Sequence, residues 1–157
     1  MCGIAGIVNL RGNAVEPADI SRLTGLIAHR GPFGQGTWFS ADRSLAFGHR
    51  RLAIIDPGEG GYQPMRSADG RHVIVFNGEI YNFLELRREL EARGAVFRSE
   101  SDTEVILAAW EAWREDMLPR FNGMWALAIF DTSTRELFLA RDRFGIKPLL
   151  YALTSER

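Results

Sequence analysis

Met1-Cys2-Gly3-Ile4-Ala5-Gly6-Ile7-Val8-Asn9-Leu10 opens the chain and contains its only cysteine. The apolar and small residues from Cys2 to Leu10 predict a short strand that starts at the very N-terminus. Such a strand holds the first residues in place instead of letting them fray. Cysteine is a small second residue, so methionine aminopeptidase can remove Met1 and leave a thiol and a free α-amine on one residue. With an unperturbed thiol pKa of about 8.5 and an α-amine pKa of about 7.7 to 8.0, both groups sit close to their protonation change near neutral pH. The residue is then a nucleophile with its own base, needing no histidine or aspartate partner. The competing reading is a small buried hydrophobe.

Beyond this stretch, Pro17 opens a helical pattern with Ile20, Leu23 and Ile27 on one face and Gly31 as its stop. Residues 29–36 read as a loop by their glycine and proline content. Thr37–Phe39 and Leu45–Ile55 read as strands, followed by a glycine-rich loop from Asp56 to Pro64. Val73-Ile74-Val75-Phe76 is a strand that runs into Asn77-Gly78, a strong hairpin-turn signal. Asn82 with Glu85 predicts a capped helix carrying Phe83, Leu86 and Leu90 and ending at Gly94. Another helix begins near Ser101 and Asp102, with Ile106, Trp110 and Trp113 on one face. Trp125–Phe130, a turn over 131–134 and Glu136–Ala140 return to strands. Pattern alone supports a mixed α/β or α+β fold with helices outside sheets.

A chain of 157 residues, 46% hydrophobic and 25% charged, suits one compact domain with a sizeable core. The net charge of -1 gives no reason to expect nucleic acid or an anionic membrane as partner. One cysteine excludes an internal disulfide and any multi-cysteine zinc site. No apolar run is long enough to cross a bilayer, and no basic start precedes an apolar block, so a cytoplasmic domain is expected. His29, His49 and His72 lie at no metal-ligand spacing and read as structural or surface residues; no metal is expected.

Four polar features join Cys2 as candidates. Arg51 lies in an apolar strand, where it either grips a carboxylate bidentately or faces solvent. Asn77-Gly78 offers a side-chain amide and a backbone N–H to an oxyanion, or is a plain turn. Asp102 either caps its helix or binds an ammonium group. Together with an N-terminal thiol, these are the parts needed to bind a free amino acid and cleave its side-chain amide, which points to glutamine or asparagine.

These residues lie in motifs that resemble the class II glutamine amidotransferases, N-terminal-nucleophile hydrolases, and most of all the glutaminase domain of glutamine-dependent asparagine synthetases. The matching stretches are residues 1–6, His29-Arg30-Gly31-Pro32, Gly48–Asp56, Gln63-Pro64-Met65, Phe76–Asn82, Ser101–Glu104, Phe121–Ala126 and Arg141–Leu149, in the family's order. The resemblance implies an α+β, four-layer α/β/β/α sandwich with two mostly antiparallel sheets between helical layers. It implies that Cys2 is the nucleophile, that Asn77 and Gly78 form the oxyanion hole, and that Arg51 holds the substrate α-carboxylate. Leu52, Ala53, Ile54 and Ile55 are implied to line the glutamine pocket, Glu79 to border it and Asp102 to bind the α-ammonium.

The implied activity is hydrolysis of L-glutamine to glutamate and ammonia through a thioester, with ammonia passed to a synthetase making asparagine from aspartate and ATP. No cofactor is implied for glutamine hydrolysis; ATP and Mg²⁺ are implied only for the synthetase domain, which residues 1–157 do not include. A homodimer is compatible with the resemblance. Phe33 stands where the family usually has aspartate, and the family's domain usually continues past Tyr151, so a shortened domain is expected. The alternative from another class is an inactive or regulatory glutamine-binding remnant.

Overall fold

A computed structural model gives the fold and describes residues 2–154. It is α+β, built from two antiparallel sheets. Strand β1 (Gly3–Val8), helix α1 (Pro17–Leu26), β2 (Gly34–Phe39) and β3 (Leu45–Arg51) form the first half, with sheet order β1-β3-β2. The second half contains β4 (Met65–Arg66), β5 (His72–Ile80), helices α2 (Phe83–Ala92) and α3 (Asp102–Trp113), β6 (Gly123–Asp131) and β7 (Leu137–Arg141), with order β4-β5-β6-β7.

The period-2 alternation of the strands sorts the apolar residues into three layers. Leu45 and Phe47 from β3 meet Val73, Val75, Ala128 and Phe130 from β5 and β6 between the sheets. Ile7 and Ala46 face outward onto Ile20 of α1, and Ile74, Phe76 and Leu127 face α2 and α3 through Leu86, Leu90, Ile106 and Trp110. Three apolar layers separate four structural ones, which is the expected α/β/β/α sandwich. Each fully buried Leu, Ile or Phe contributes about 1.5–3 kcal/mol on leaving water. An exposed helical ion pair such as Arg93–Glu89 contributes about 0.3–0.5 kcal/mol. Apolar burial therefore holds the layers together.

Local chemistry explains the helices. Pro17 starts α1, where its fixed φ costs no hydrogen bond, and Gly48 lets α1 close in, since a Cβ there would lie 2.3 Å from Thr24 Oγ1. Helix α2 ends as expected: Gly94 takes φ +97°, and the N–H groups of Gly94 and Ala95 donate to Glu91 and Leu90 carbonyls.

Several sequence expectations shift. Asn77-Gly78 is not a turn: β5 runs through it to Ile80, with Asn77 opposite Ala126 and Gly78 opposite Trp125. Gly78 serves close approach instead, because a Cβ there would lie 2.3 Å from the Met124 carbonyl oxygen. Strand β2 begins at Gly34 rather than Thr37, and β3 ends at Arg51 rather than Ile55. Helix α1 ends at Leu26, before Gly31, and a 3₁₀ turn over Ala28–Arg30 follows. Asn82 precedes α2 but makes no side-chain cap; its amide instead bonds Arg120 O and the Asn122 N–H.

Candidate active site

The alternation that builds the inter-sheet core also builds a polar cleft at one end of it. On β3 the inward row Leu45, Phe47 continues into His49 and Arg51; on β5 the row Val73, Val75 continues into Asn77 and Glu79. On β1 the inward row Val8, Ile4 leads to Cys2, just before the strand begins. Cys2, Arg51, Asn77 and Glu79 consequently line one cleft, closed on one side by Ser101, Asp102 and Thr103 at the start of α3.

Cys2 is half-buried and free. Its sulfur accepts from the Leu52 N–H at 3.3 Å and lies 3.6 Å from the Leu52 carbonyl. Its carbonyl accepts from Arg30 Nε at 3.0 Å. Arg30 comes from the loop predicted over 29–36, which is pinned to the end of β3: the Phe33 N–H donates to Arg51 O at 3.1 Å. Gly31 permits this, since a Cβ there would lie 2.4 Å from the Arg50 carbonyl carbon. Phe33 itself turns its ring outward, 66% exposed, and the loop's main-chain bonds are made without the family's aspartate.

Arg51 is 4% exposed, a charge taken out of water. Its guanidinium donates to Gly58 O at 2.8 Å and to Asp56 O, and it stacks on the Tyr62 ring at 4.6 Å from the centroid. Gly61 leaves room for it, because a Cβ there would lie 2.3 Å from Arg51 Nη2. The loop from Asp56 to Tyr62 thus fixes the guanidinium fork in the cleft. A fork held this way has donors left to bind a carboxylate.

The outer edge of β5 carries the next set of groups. The Phe76 N–H donates to Gln63 Oε1 at 2.6 Å and the Ile80 N–H to Asp102 Oδ2 at 3.1 Å. By the two-residue repeat the Gly78 N–H falls on the same edge, between these two. Asn77 is 3% exposed and its Oδ1 is buried without a partner. A buried acceptor left unpaired in a cleft is one that a donor on a ligand can satisfy.

Asp102 is buried beside Glu79. Burial pushes its pKa up to about 6; hydrogen bonds from Ile80 and Thr103 work against that shift and the Glu79 charge adds to it. Ser101, not Asp102, is the helix cap, accepting from the Thr103 N–H at 3.2 Å. Asp102 is the first helical residue, which leaves its carboxylate facing the cleft. Two carboxylates at this end offer a seat for a cation, and Arg51 opposite offers one for an anion.

Of the sequence-selected residues, Leu52, Ile54 and Ile55 also line the cleft, as does Gly78; Ala53 is half-buried and does not. Sequence reading missed His49, Gln63, Thr103 and Lys147, which line it as well. His49 was readable from its position two residues before Arg51 on an inward-facing row. Neither of its ring nitrogens has a hydrogen-bond partner. Burial and the Arg51 charge push its pKa down to about 4, against a contact with the Phe76 backbone, so the ring is neutral. His72 lies at the far end of β5 between Asp131 and Glu111, at 3.4 and 3.6 Å, away from the cleft; His29 is exposed.

Among the described residues, no helix is long and apolar enough to cross a membrane. The chain matches the family model described as a glutamine amidotransferase domain over residues 1–157. It is 48% identical over 166 residues to a putative glutamine-hydrolysing asparagine synthetase of Mycobacterium bovis, covering 97% of this chain and 25% of that protein. It is 42% identical over 160 residues to asparagine synthetase [glutamine-hydrolyzing] 1 of Bacillus subtilis, covering 100% of this chain and 25% of that protein. The chain therefore spans about a quarter of the length of these curated relatives. Its fold is similar to that of glutamine phosphoribosylpyrophosphate amidotransferase from B. subtilis, solved with ADP and GMP. The TM-score is 0.70 at 22% identity, over 88% of this chain and 37% of that one. With its whole length matched to the family model and its layers matched to an amidotransferase fold, the chain belongs to the glutamine amidotransferase family.

Proposed function

We propose that the chain is a glutaminase that hydrolyses L-glutamine to glutamate and ammonia, and that the ammonia serves a synthetase making asparagine from aspartate. The observation that carries this reading is one cleft holding a thiol, a buried Arg51 and a buried Asp102. Arg51 takes the α-carboxylate and Asp102, with Glu79 beside it, the α-ammonium. That pairing selects a free α-amino acid and lays its side chain toward Cys2.

After removal of Met1, the Cys2 α-amine takes the thiol proton, directly or through a water, as sulfur attacks the δ-carbonyl carbon. Asn77 and the Gly78 N–H stabilise the oxyanion, a term typically worth about 10²–10³ in turnover per donor. The C–N bond breaks, the ammonium group returns its proton to the leaving nitrogen, and ammonia departs. Water then cleaves the γ-glutamyl thioester, giving glutamate and the free thiol. Thioester chemistry of this kind calls on no metal or redox cofactor, whereas activating aspartate calls on ATP and Mg²⁺ in a synthetase domain or chain.

The relatives' names as glutamine-hydrolysing asparagine synthetases support the choice of acceptor. The test is a coupled assay on the purified chain: equimolar glutamate and ammonia are expected from L-glutamine, with none from N-acetylglutamine, which lacks the ammonium. Saturable glutamine binding without glutamate release contradicts this and favours a binding module.

A further inference from the structure

We propose that Asp56 is a positioning residue that braces the two amino-acid-gripping ends of the cleft against each other; the proposal rests on the glutaminase reading above. Asp56 follows β3 and touches both ends through different atoms. Its main-chain carbonyl accepts from Arg51 Nη2. Its side-chain Oδ2 accepts from the Glu100 N–H at 3.0 Å, two residues before Asp102 and 44 residues away along the chain. One residue therefore spans from the carboxylate grip to the turn that carries the ammonium grip.

Three further features show that this contact is built into the loop. Asp56 has φ +48°, a left-handed conformation that Asp and Asn adopt more readily than other side chains. Gly60 lies directly under its carboxylate: a Cβ there would be 2.3 Å from Oδ2 and 2.7 Å from Ser99 Cβ. Gly61 allows the Arg51 contact, since its Cβ would lie 2.7 Å from Asp56 O. Glycines at both positions let the loop close on Arg51 and on the segment before α3 at once.

The consequence concerns binding more than chemistry. The α-carboxylate and α-ammonium of an amino acid hang from one carbon, so the distance between Arg51 and Asp102 must match a fixed spacing. Among the described residues no hydrogen bond joins Asp56 to Cys2, Asn77 or Gly78, so the effect falls on binding more than on the chemical step.

The test compares Asp56→Gly, which keeps the left-handed backbone and removes the carboxylate, with Asp56→Asn, which keeps an acceptor. Asp56→Gly is expected to raise KM for glutamine at least about tenfold with kcat within about threefold, and Asp56→Asn to recover most of the loss. Amide hydrogen exchange at Glu100 is expected to quicken in Asp56→Gly and to stay slow in Asp56→Asn. An unchanged KM in Asp56→Gly overturns the brace even if its Tm falls, and so does a lowered kcat at unchanged KM. If the wild-type chain releases no glutamate, the glutaminase reading fails by itself. The Glu100 exchange rate then decides the brace, and an unchanged rate in Asp56→Gly overturns it.

Discussion

Cys2→Ala is expected to stop glutamate release, lowering turnover by at least about 10⁴-fold, in the range seen when a covalent nucleophile is removed. The fold should not notice. The Cys2 sulfur is half-buried, its hydrogen-bond contacts among the described residues are those of 3.3 and 3.6 Å with Leu52, and Arg30 holds the residue by its carbonyl, which alanine retains. Alanine is also small enough to permit removal of Met1, so the α-amine is still delivered and only the sulfur is lost. Glutamine should bind the variant with near wild-type affinity, because Arg51 and Asp102 are untouched. Glutamate release at the wild-type rate by Cys2→Ala, with circular dichroism unchanged, removes the thiol from the mechanism.

Asp102→Asn is expected to leave the oxyanion edge intact and to weaken glutamine binding. Losing one member of a buried charge pair typically costs about 2–5 kcal/mol, or roughly thirty-fold to a few thousand-fold at tenfold per about 1.4 kcal/mol. The Asn side chain can still accept from the Ile80 N–H, so β5 and α3 keep their tie. The wild type should show the same loss as a function of pH. Its Asp102 titrates near 6 because burial raises it; below that pH the carboxylate is protonated and no longer seats the ammonium. KM for glutamine should therefore rise as pH falls through about 6 in the wild type and stay flat there in Asp102→Asn.

Stability has the opposite sign. A folded pKa above the ordinary carboxylate value means that the stability tied to the protonated form is complete below about pH 4. It is lost as pH rises through about 6. Asp102→Asn escapes that loss and should melt higher than the wild type at pH 7 to 8. A lower Tm with unchanged KM returns Asp102 to a purely structural role at the start of α3.

The strands are legible as apolar runs, but pattern alone supports only a mixed α/β or α+β fold; the four layers and the shared site are implied by the resemblance to the family's motifs. In the structure Leu45, Phe47 and Val73, Val75 mark inward rows, and Arg51 and Asn77 continue those rows into the cleft. What stayed hidden depended on contacts far along the chain. Asn77-Gly78 carries a turn signal, yet pairing with β6, Asn77 opposite Ala126 and Gly78 opposite Trp125, holds it in the strand. The choice between Ser101 and Asp102 as cap is a matter of one residue, settled by the Ser101 bond to Thr103. The grip of the 56–62 loop on Arg51 uses main-chain carbonyls, which leave no mark on side-chain pattern. His49 lies at no metal-ligand spacing, and only its place two residues before Arg51 on the inward row marks it as part of the site.

The most direct test of a Cys2-centred glutaminase is intact-mass analysis of the purified chain before and after incubation with the diazoketone analogue of glutamine. The predicted result is a chain lacking Met1 that gains one covalent analogue, mapped to Cys2 and prevented by excess L-glutamine. A chain that keeps Met1, takes up no label, or carries the label on another residue contradicts it.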